Sequence, residues 1–204
     1  MLEDLFAPQD PPPVPPNVLF ACTGNICRSP LAEVLLEQEL ARNLPGVLTV
    51  ASAGVRAVVG AGLDDFPKQY AAAADARTQH EARQFDEQIA QEVGLVLVMT
   101  EHQRQWVGYQ FPAVARRVFS LRWFVQTAQR VLAEQDLPDG DFAVRFSWLL
   151  DQAARQRSTF GDLRDFDVQD PYRQPEQTHR EVAGLISAQV VQLVKVLSAL
   201  GAHA

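Results

Sequence analysis

Apolar and polar positions along this chain change period several times, and each change marks an element. Asn17-Val18-Leu19-Phe20-Ala21 is apolar without alternation, as a strand buried on both faces would be. A helix follows, with Ser29 as expected N-cap, Pro30 at the first helical position and Glu33 in the first turn. Leu31, Val34, Leu35 and Leu40 give it an apolar side, and Pro45-Gly46 ends it. Residues 47–55 read as a second strand closing on Ser52-Ala53-Gly54, the alanine-rich stretch 65–76 as a short helix, and 86–92 as another. Residues 93–99 form a further buried strand, 101–109 a helix, and 117–121 a fourth strand. Val182, Ile186, Leu193 and Leu197 lie at helical spacing, so a long amphipathic helix closes the chain. Strands alternating with helices predict an α/β fold: a four-stranded parallel sheet flanked by helices on both faces. Ligands in such folds sit beyond the carboxyl ends of the strands.

Two stretches stand outside this alternation. Residues 1–16 read as a proline-rich disordered arm, since Pro11-Pro12-Pro13-Val14-Pro15-Pro16 favours extended backbone and has nothing to bury. The folded domain is then 17–204. Within it, a helical insertion at about 122–162 carries two stripes. Phe124, Ala128, Val131 and Leu132 form one; Phe142, Phe146, Leu149, Leu150 and Ala153 form the other. Trp123, Phe124 and Trp148 are expected in a hydrophobic sub-core of that insertion, placed beside the entrance to the site.

Composition narrows the function. With 47% apolar and 21% charged residues the profile is that of a soluble globular protein. A formal net charge of −7 argues against nucleic acid as main partner. The N-terminus lacks the order of a signal peptide and no apolar run has the length to span a bilayer, so the expected setting is cytoplasmic, with no membrane insertion. His80, His102, His179 and His203 are too scattered for a metal site, and no metal is expected. Both cysteines fall in one short loop, which is no disulfide scaffold.

That loop carries the chemistry. Cys22-Thr23-Gly24-Asn25-Ile26-Cys27-Arg28-Ser29 joins strand 1 to helix 1. A tight strand-to-helix turn directs backbone N–H groups into a concavity, where the helix dipole adds positive charge: a phosphate-binding loop. Gly24 permits close approach, and Asn25 tolerates positive φ. Arg28 offers a planar fork to two phosphate oxygens. Cys22 at the strand end lies at the bottom, beside a cation and a helix N-terminus, a setting that favours the thiolate. Ser29 is placed to donate a hydrogen bond to it. Cys27 is either a structural thiol or a partner that traps oxidised Cys22 as a disulfide.

Cys-x5-Arg alone is a weak signal, but the whole string closely resembles the signature of the low-molecular-weight protein tyrosine phosphatases, Cys-x-Gly-Asn-x-Cys-Arg-Ser-Pro, at every fixed position. Further similarity lies at Ser52-Ala53-Gly54, at His80-Glu81-Ala82-Arg83-Gln84, at Val98-Met99-Thr100 with His102, and at Asp170-Pro171-Tyr172. The resemblance implies hydrolysis of phosphotyrosine in a protein substrate, through a cysteinyl-phosphate on Cys22 and without metal or organic cofactor. It implies Arg28 as phosphate grip, Asp170 as general acid, Tyr172 as pocket wall, and Ser52 as a brace acting through Asn25. Asp162, Asp165 and Asp167 lie near enough to rival Asp170. Two features depart from the family pattern: Arg56-Ala57-Val58-Val59 stands where an aromatic is usual, and Arg173 follows Tyr172 in place of a second tyrosine. Relatives suggest two alternatives. Phosphoarginine phosphatases carry threonine where this chain has Ile26, and arsenate reductases on the same scaffold need further cysteines that this chain lacks.

Overall fold

The computed structural model describes residues 13–64, 80–159 and 162–201; the helix expected at 65–76 lies outside the described residues. Strands β1 (Asn17–Cys22), β2 (Thr49–Gly54), β3 (Leu95–Val98) and β4 (Val118–Ser120) form one sheet in the order β2-β1-β3-β4. Every pairing is parallel, with Cys22 opposite Gly54 and Ala21 opposite Val98. The helices are α1 (Arg28–Asn43), α2 (Glu87–Glu92), α3 (Glu101–Gln110), α4 (Leu121–Glu134), α5 (Phe142–Arg155) and α6 (Glu176–Gly201).

The unalternating apolar run of β1 has a direct cause. Val18, Phe20 and Cys22 join a core shared with α1, α4, α5 and α6, while Leu19 and Ala21 join a second core with Ala90 of α2 and Val107 of α3. β3 divides in the same way, Leu95 and Leu97 to one face, Val96 and Val98 to the other. Side chains alternate along a strand, so a strand covered on both faces must be apolar at every position. Each buried side chain the size of Phe20 contributes roughly 1.5–3 kcal/mol to that packing.

Four expectations change. Helix α1 starts at Arg28, with Cys27 at the N-cap and no side-chain cap. Ser29 does not cap because its hydroxyl is committed to Cys22 Sγ. The proline-rich arm does not run loose as far as residue 16: Val14 N–H donates to Ser147 Oγ at 2.7 Å and Thr49 N–H to Pro16 C=O at 3.3 Å. Gly94 permits this docking, since a Cβ there would lie 2.0 Å from Pro15 O. The expected separate sub-core is absent among the described residues. Phe119 of β4 stacks on Trp123 (ring centroids 5.4 Å apart) and meets Phe124 at 5.2 Å, so the first helix of the 122–162 segment belongs to the main core. It also packs on α6 and the sheet, and reaches towards the site through its first turn only in part: Arg122 Nη1 donates to Asp165 O (2.9 Å) and Asp167 O (3.3 Å). Finally, α6, at 26 residues, does have the length and composition to cross a membrane. Nine of its residues, among them Ile186, Leu193 and Leu197, are instead buried in the core, which accounts for its apolarity.

Candidate active site

The sheet order puts β1 between β2 and β3, so the chain leaves β1 in one direction for β2 and crosses back to reach β3. The crevice at such a reversal opens above the carboxyl end of the strand, and Cys22 is the last residue of β1.

The loop after Cys22 is held by its carbonyl groups. Cys22, Thr23 and Gly24 C=O accept from the N–H groups of Val55 (2.9 Å), Arg56 (3.0 Å) and Val58 (3.0 Å). Asn25 C=O lies 2.7 Å from His80 Nε2, and Ile26 C=O accepts from Asp64 N–H at 3.0 Å. Gly54 makes this approach possible: a Cβ there would lie 2.7 Å from Thr23 O. A peptide plane with its carbonyl bound outward presents its N–H inward. The N–H groups of Gly24, Asn25, Ile26 and Cys27 have no acceptor among the described residues. The turn is closed by Asn25 at φ 56°, in the left-handed region that asparagine tolerates.

Under the loop runs a buried polar network. Asn25 Oδ1 accepts from Arg83 N–H (2.9 Å), and Asn25 Nδ2 donates to Ser52 Oγ (2.8 Å) and Ser29 Oγ (3.1 Å). Ser52 Oγ then donates to Glu33 Oε2 at 2.6 Å. With the asparagine amide as fixed donor, the Ser29 hydroxyl hydrogen is free for Cys22 Sγ, 3.0 Å away, with Ala53 C=O at 3.4 Å its other acceptor. Arg83 Nε also donates to Ser52 C=O at 2.8 Å, pinning β2 beside the loop.

Arg28 is buried in the first turn of α1. Its Nη1 donates to Val168 C=O at 2.9 Å and its Nη2 to Asp170 Oδ2 at 2.5 Å, while Nε is buried with no protein acceptor among the described residues. Asp170 is half-exposed, and its Oδ1 accepts from Tyr172 N–H at 3.2 Å. Val168 N–H donates to Met99 C=O at 2.8 Å, tying this acid loop to the end of β3. Tyr172 is 46% exposed, with the Arg173 guanidinium 5.1 Å from its ring centroid.

The structure thus gathers Cys22, Thr23, Gly24, Ile26, Cys27, Arg28, Asp170 and Tyr172 around one pocket of about 190 Å³, with Asn25, Ser29 and Ser52 beneath it. Of the rival acids, Asp167 is turned elsewhere: its Oδ1 accepts from Glu101 N–H at 2.6 Å. Burial pushes the Asp167 carboxyl upward, against that hydrogen bond. Cys27 Sγ donates to Asp64 Oδ2 at 3.2 Å; burial and then this bond push its thiol far above the usual range.

Several residues of the site escape sequence reasoning. Glu33 reads as a first-turn acid, yet with Ser29, Leu36 and Leu40 it follows heptad spacing along the buried face, the one signal that marks it. Gln103 takes Met99 and Thr100 N–H on its Oε1 (2.9 and 3.2 Å) and donates to Thr23 Oγ1 at 3.1 Å. Thr100-x-x-Gln103 has the capping-box pattern, which accounts for the bond to Thr100 N–H; nothing near it in sequence announces the bond to Thr23. Arg56 and Val58, which the sequence already marks as standing where an aromatic is usual, complete the pocket wall at that place.

A family model described as low molecular weight phosphotyrosine protein phosphatase matches residues 17–144. The chain is 29% identical over 186 residues to a probable low molecular weight protein-tyrosine-phosphatase, EpsP, of Ralstonia nicotianae, across 91% of this chain and 98% of that protein. It is 33% identical over 121 residues to a protein-arginine-phosphatase of Geobacillus stearothermophilus, across 59% of this chain and 79% of that one. The solved YwlE arginine phosphatase from Geobacillus stearothermophilus superposes with a TM-score of 0.63 at 25% identity, covering 89% of this chain and 92% of its own.

Proposed function

The chain belongs to the low molecular weight phosphotyrosine protein phosphatase family, and from that premise we propose that it hydrolyses phosphotyrosine in protein substrates with Cys22 as nucleophile. One observation carries the reading: Cys22 Sγ receives the Ser29 hydroxyl at the base of a loop whose carbonyls are all engaged outward. The inward N–H groups, the buried Arg28 Nε and the positive end of α1 form a ready site for a phosphate dianion.

Chemistry follows from the parts. Arg28 and the loop amides hold the phosphoryl oxygens and stabilise charge on them in the transition state. The Cys22 thiolate attacks phosphorus, forming an S–P bond as the aryl O–P bond breaks, and Asp170 gives its proton to the departing oxygen. Phosphate and Asp170 compete for the same guanidinium, so substrate binding releases the carboxyl from its contact with Nη2. Asp170 next takes a proton from water, which attacks phosphorus. The S–P bond breaks with the leaving thiolate stabilised by Ser29, and inorganic phosphate is released. Two free thiols and the burial of α6 in the core support a cytoplasmic setting without membrane insertion.

Phosphoarginine is the second reading, favoured by relatives named for that activity. Ile26, Val58 and Tyr172 on the pocket wall favour an aryl group over a guanidinium. Rates on phosphotyrosine and phosphoarginine versions of one peptide decide between them. Faster phosphotyrosine hydrolysis, abolished in Cys22→Ser, is expected; faster phosphoarginine hydrolysis transfers the assignment to the second reading.

A further inference from the structure

Beside the phosphate pocket, across Arg56, lies a second cleft of about 400 Å³, twice the size of the first. The two share Thr23, Arg28, Arg56 and Asp170 as a common ridge. The far wall is the first turns of α3, with His102 and Trp106, and Gln169 borders it from the acid loop. Thr23, on the ridge, is tied to that far wall by the Gln103 bond, which links cradle and cleft directly.

The charges of the cleft are unevenly engaged. Once phosphate claims the Arg28 guanidinium, Asp170 keeps the Tyr172 N–H and, as the general acid, carries the proton it gives to the leaving group, so it adds no charge to the cleft; Asp167 Oδ1 accepts from Glu101 N–H. Glu101, just behind, is gripped by Arg104 through two bonds of 2.7 and 2.6 Å. Arg56 and His102, by contrast, are exposed, and their side chains have no hydrogen-bond or ion-pair partner among the described residues. On a chain of formal net charge −7, an unengaged guanidinium beside a phosphate pocket, with an imidazole across the cleft from it, is complementary to a further negative group on the substrate. Neighbouring Cα atoms of a peptide lie about 3.8 Å apart. A phosphotyrosine seated over Cys22 holds its backbone at the pocket mouth, and the side chain of an adjacent residue is then within reach of the exposed Arg56 on the shared ridge.

We propose that this cleft receives an acidic side chain flanking the phosphotyrosine of the substrate protein, with Arg56 as its counter-charge and the His102 ring as a hydrogen-bonding neighbour. The inference rests on the phosphotyrosine reading above. Arg56 acts here as a specificity-determining residue, away from the reacting atoms.

The test compares kcat/KM for synthetic phosphotyrosine peptides that differ only in the residues on either side: glutamate, glutamine or lysine. The parent protein is expected to favour glutamate over glutamine by about fivefold, the upper range for exposed ion pairs. High salt should shrink that ratio through screening. Arg56→Gln and His102→Gln should each lower it, and Arg56→Glu should reverse the order to favour lysine, which a merely structural role would not produce. Equal rates on the glutamate and glutamine peptides, or a preference for glutamate that survives Arg56→Glu, overturn the cleft assignment. Hydrolysis of the matching phosphoarginine peptide with none of any phosphotyrosine peptide overturns the premise instead, so the two failures are distinct.

Discussion

The phosphate cradle and the acid loop face each other across one pocket, and they are held in opposite ways. Between Cys22 and Ser29 the loop carbonyls are bound from outside, and Asn25 uses both ends of its amide within a buried network. The acid loop is anchored at Val168, but its working carboxyl is half-exposed and rests on Arg28 and one neighbouring N–H. A preorganised field of N–H donors stabilises developing charge without rearranging at the moment of reaction. A proton carrier has to change partners twice per turnover, and few fixed bonds suit that task. Rigidity and freedom are assigned here by how many hydrogen bonds each segment is given.

The sharpest test of the cradle side is removal of the nucleophile. Cys22→Ser should lose at least about a thousandfold in turnover, as removal of a nucleophile generally does. It should still bind tungstate by calorimetry, because loop amides and Arg28 are untouched. Loss of tungstate binding together with turnover would show that the thiol builds the cradle as well as serving in it. On the acid-loop side, Asp170→Ala should slow the burst phase with phenyl phosphate by roughly a hundredfold to ten-thousandfold. With p-nitrophenyl phosphate, whose leaving group departs unprotonated, the burst should slow far less. Equal slowing with both, or a larger selective effect from Asp167→Ala, moves the acid role elsewhere.

Smaller effects probe the network itself. Ser52→Ala removes the donor to Glu33 and an acceptor of Asn25. Urea denaturation should show a loss of about 1–3 kcal/mol, the cost of leaving buried polar groups unsatisfied. An unchanged midpoint would mean that water or rearrangement replaces the serine. Cys27 supplies the pH test. Burial, then Asp64, raises its thiol above the ordinary value of 9.0 in the folded protein. The protonated thiol therefore contributes stability that is complete below about pH 9 and declines as the pH climbs from there toward the folded value. One proton sets a slope of at most about 1.4 kcal/mol per pH unit. Cys27→Ala should lose less stability than the parent between pH 9 and pH 10.5, and identical slopes would show that the thiol is not held protonated by the fold.

Much of the fold was legible because its signals are local. The strand runs at Val18-Leu19-Phe20-Ala21 and Leu95-Val96-Leu97-Val98 are apolar at every position, and only a sheet covered on both faces asks for that. The segment after Leu121 forms the two helices that its stripes imply, α4 and α5, but, among the described residues, no sub-core of its own, for a physical reason. Its stripe of Phe124, Ala128 and Val131 reports that a face is buried but says nothing of what buries it, and here the partner is the sheet and α6. Ser29 was legible in one of two roles: its bond to Cys22 Sγ is present as expected, and the cap that a serine before a proline suggests is absent because the one hydroxyl hydrogen goes to that sulfur, seven residues away.

The sequence by itself determined the parallel α/β architecture, the loop from Cys22 to Ser29 and the residue types a phosphate site requires, because periodicity and turn chemistry act over a few residues. Asp170 and the Ser52 brace of Asn25 were expected only through the resemblance to known phosphatases, and tertiary structure decided the contacts that join the distant groups. Arg28 meets Asp170 across 142 positions, Thr23 meets Gln103 across 80, and Asn25 is satisfied by Ser52 and Arg83 from two other segments. Such pairings follow from strand order and register, which bring the carboxyl ends of β1, β2 and β3 to one edge, and side-chain pattern along a single segment does not encode them.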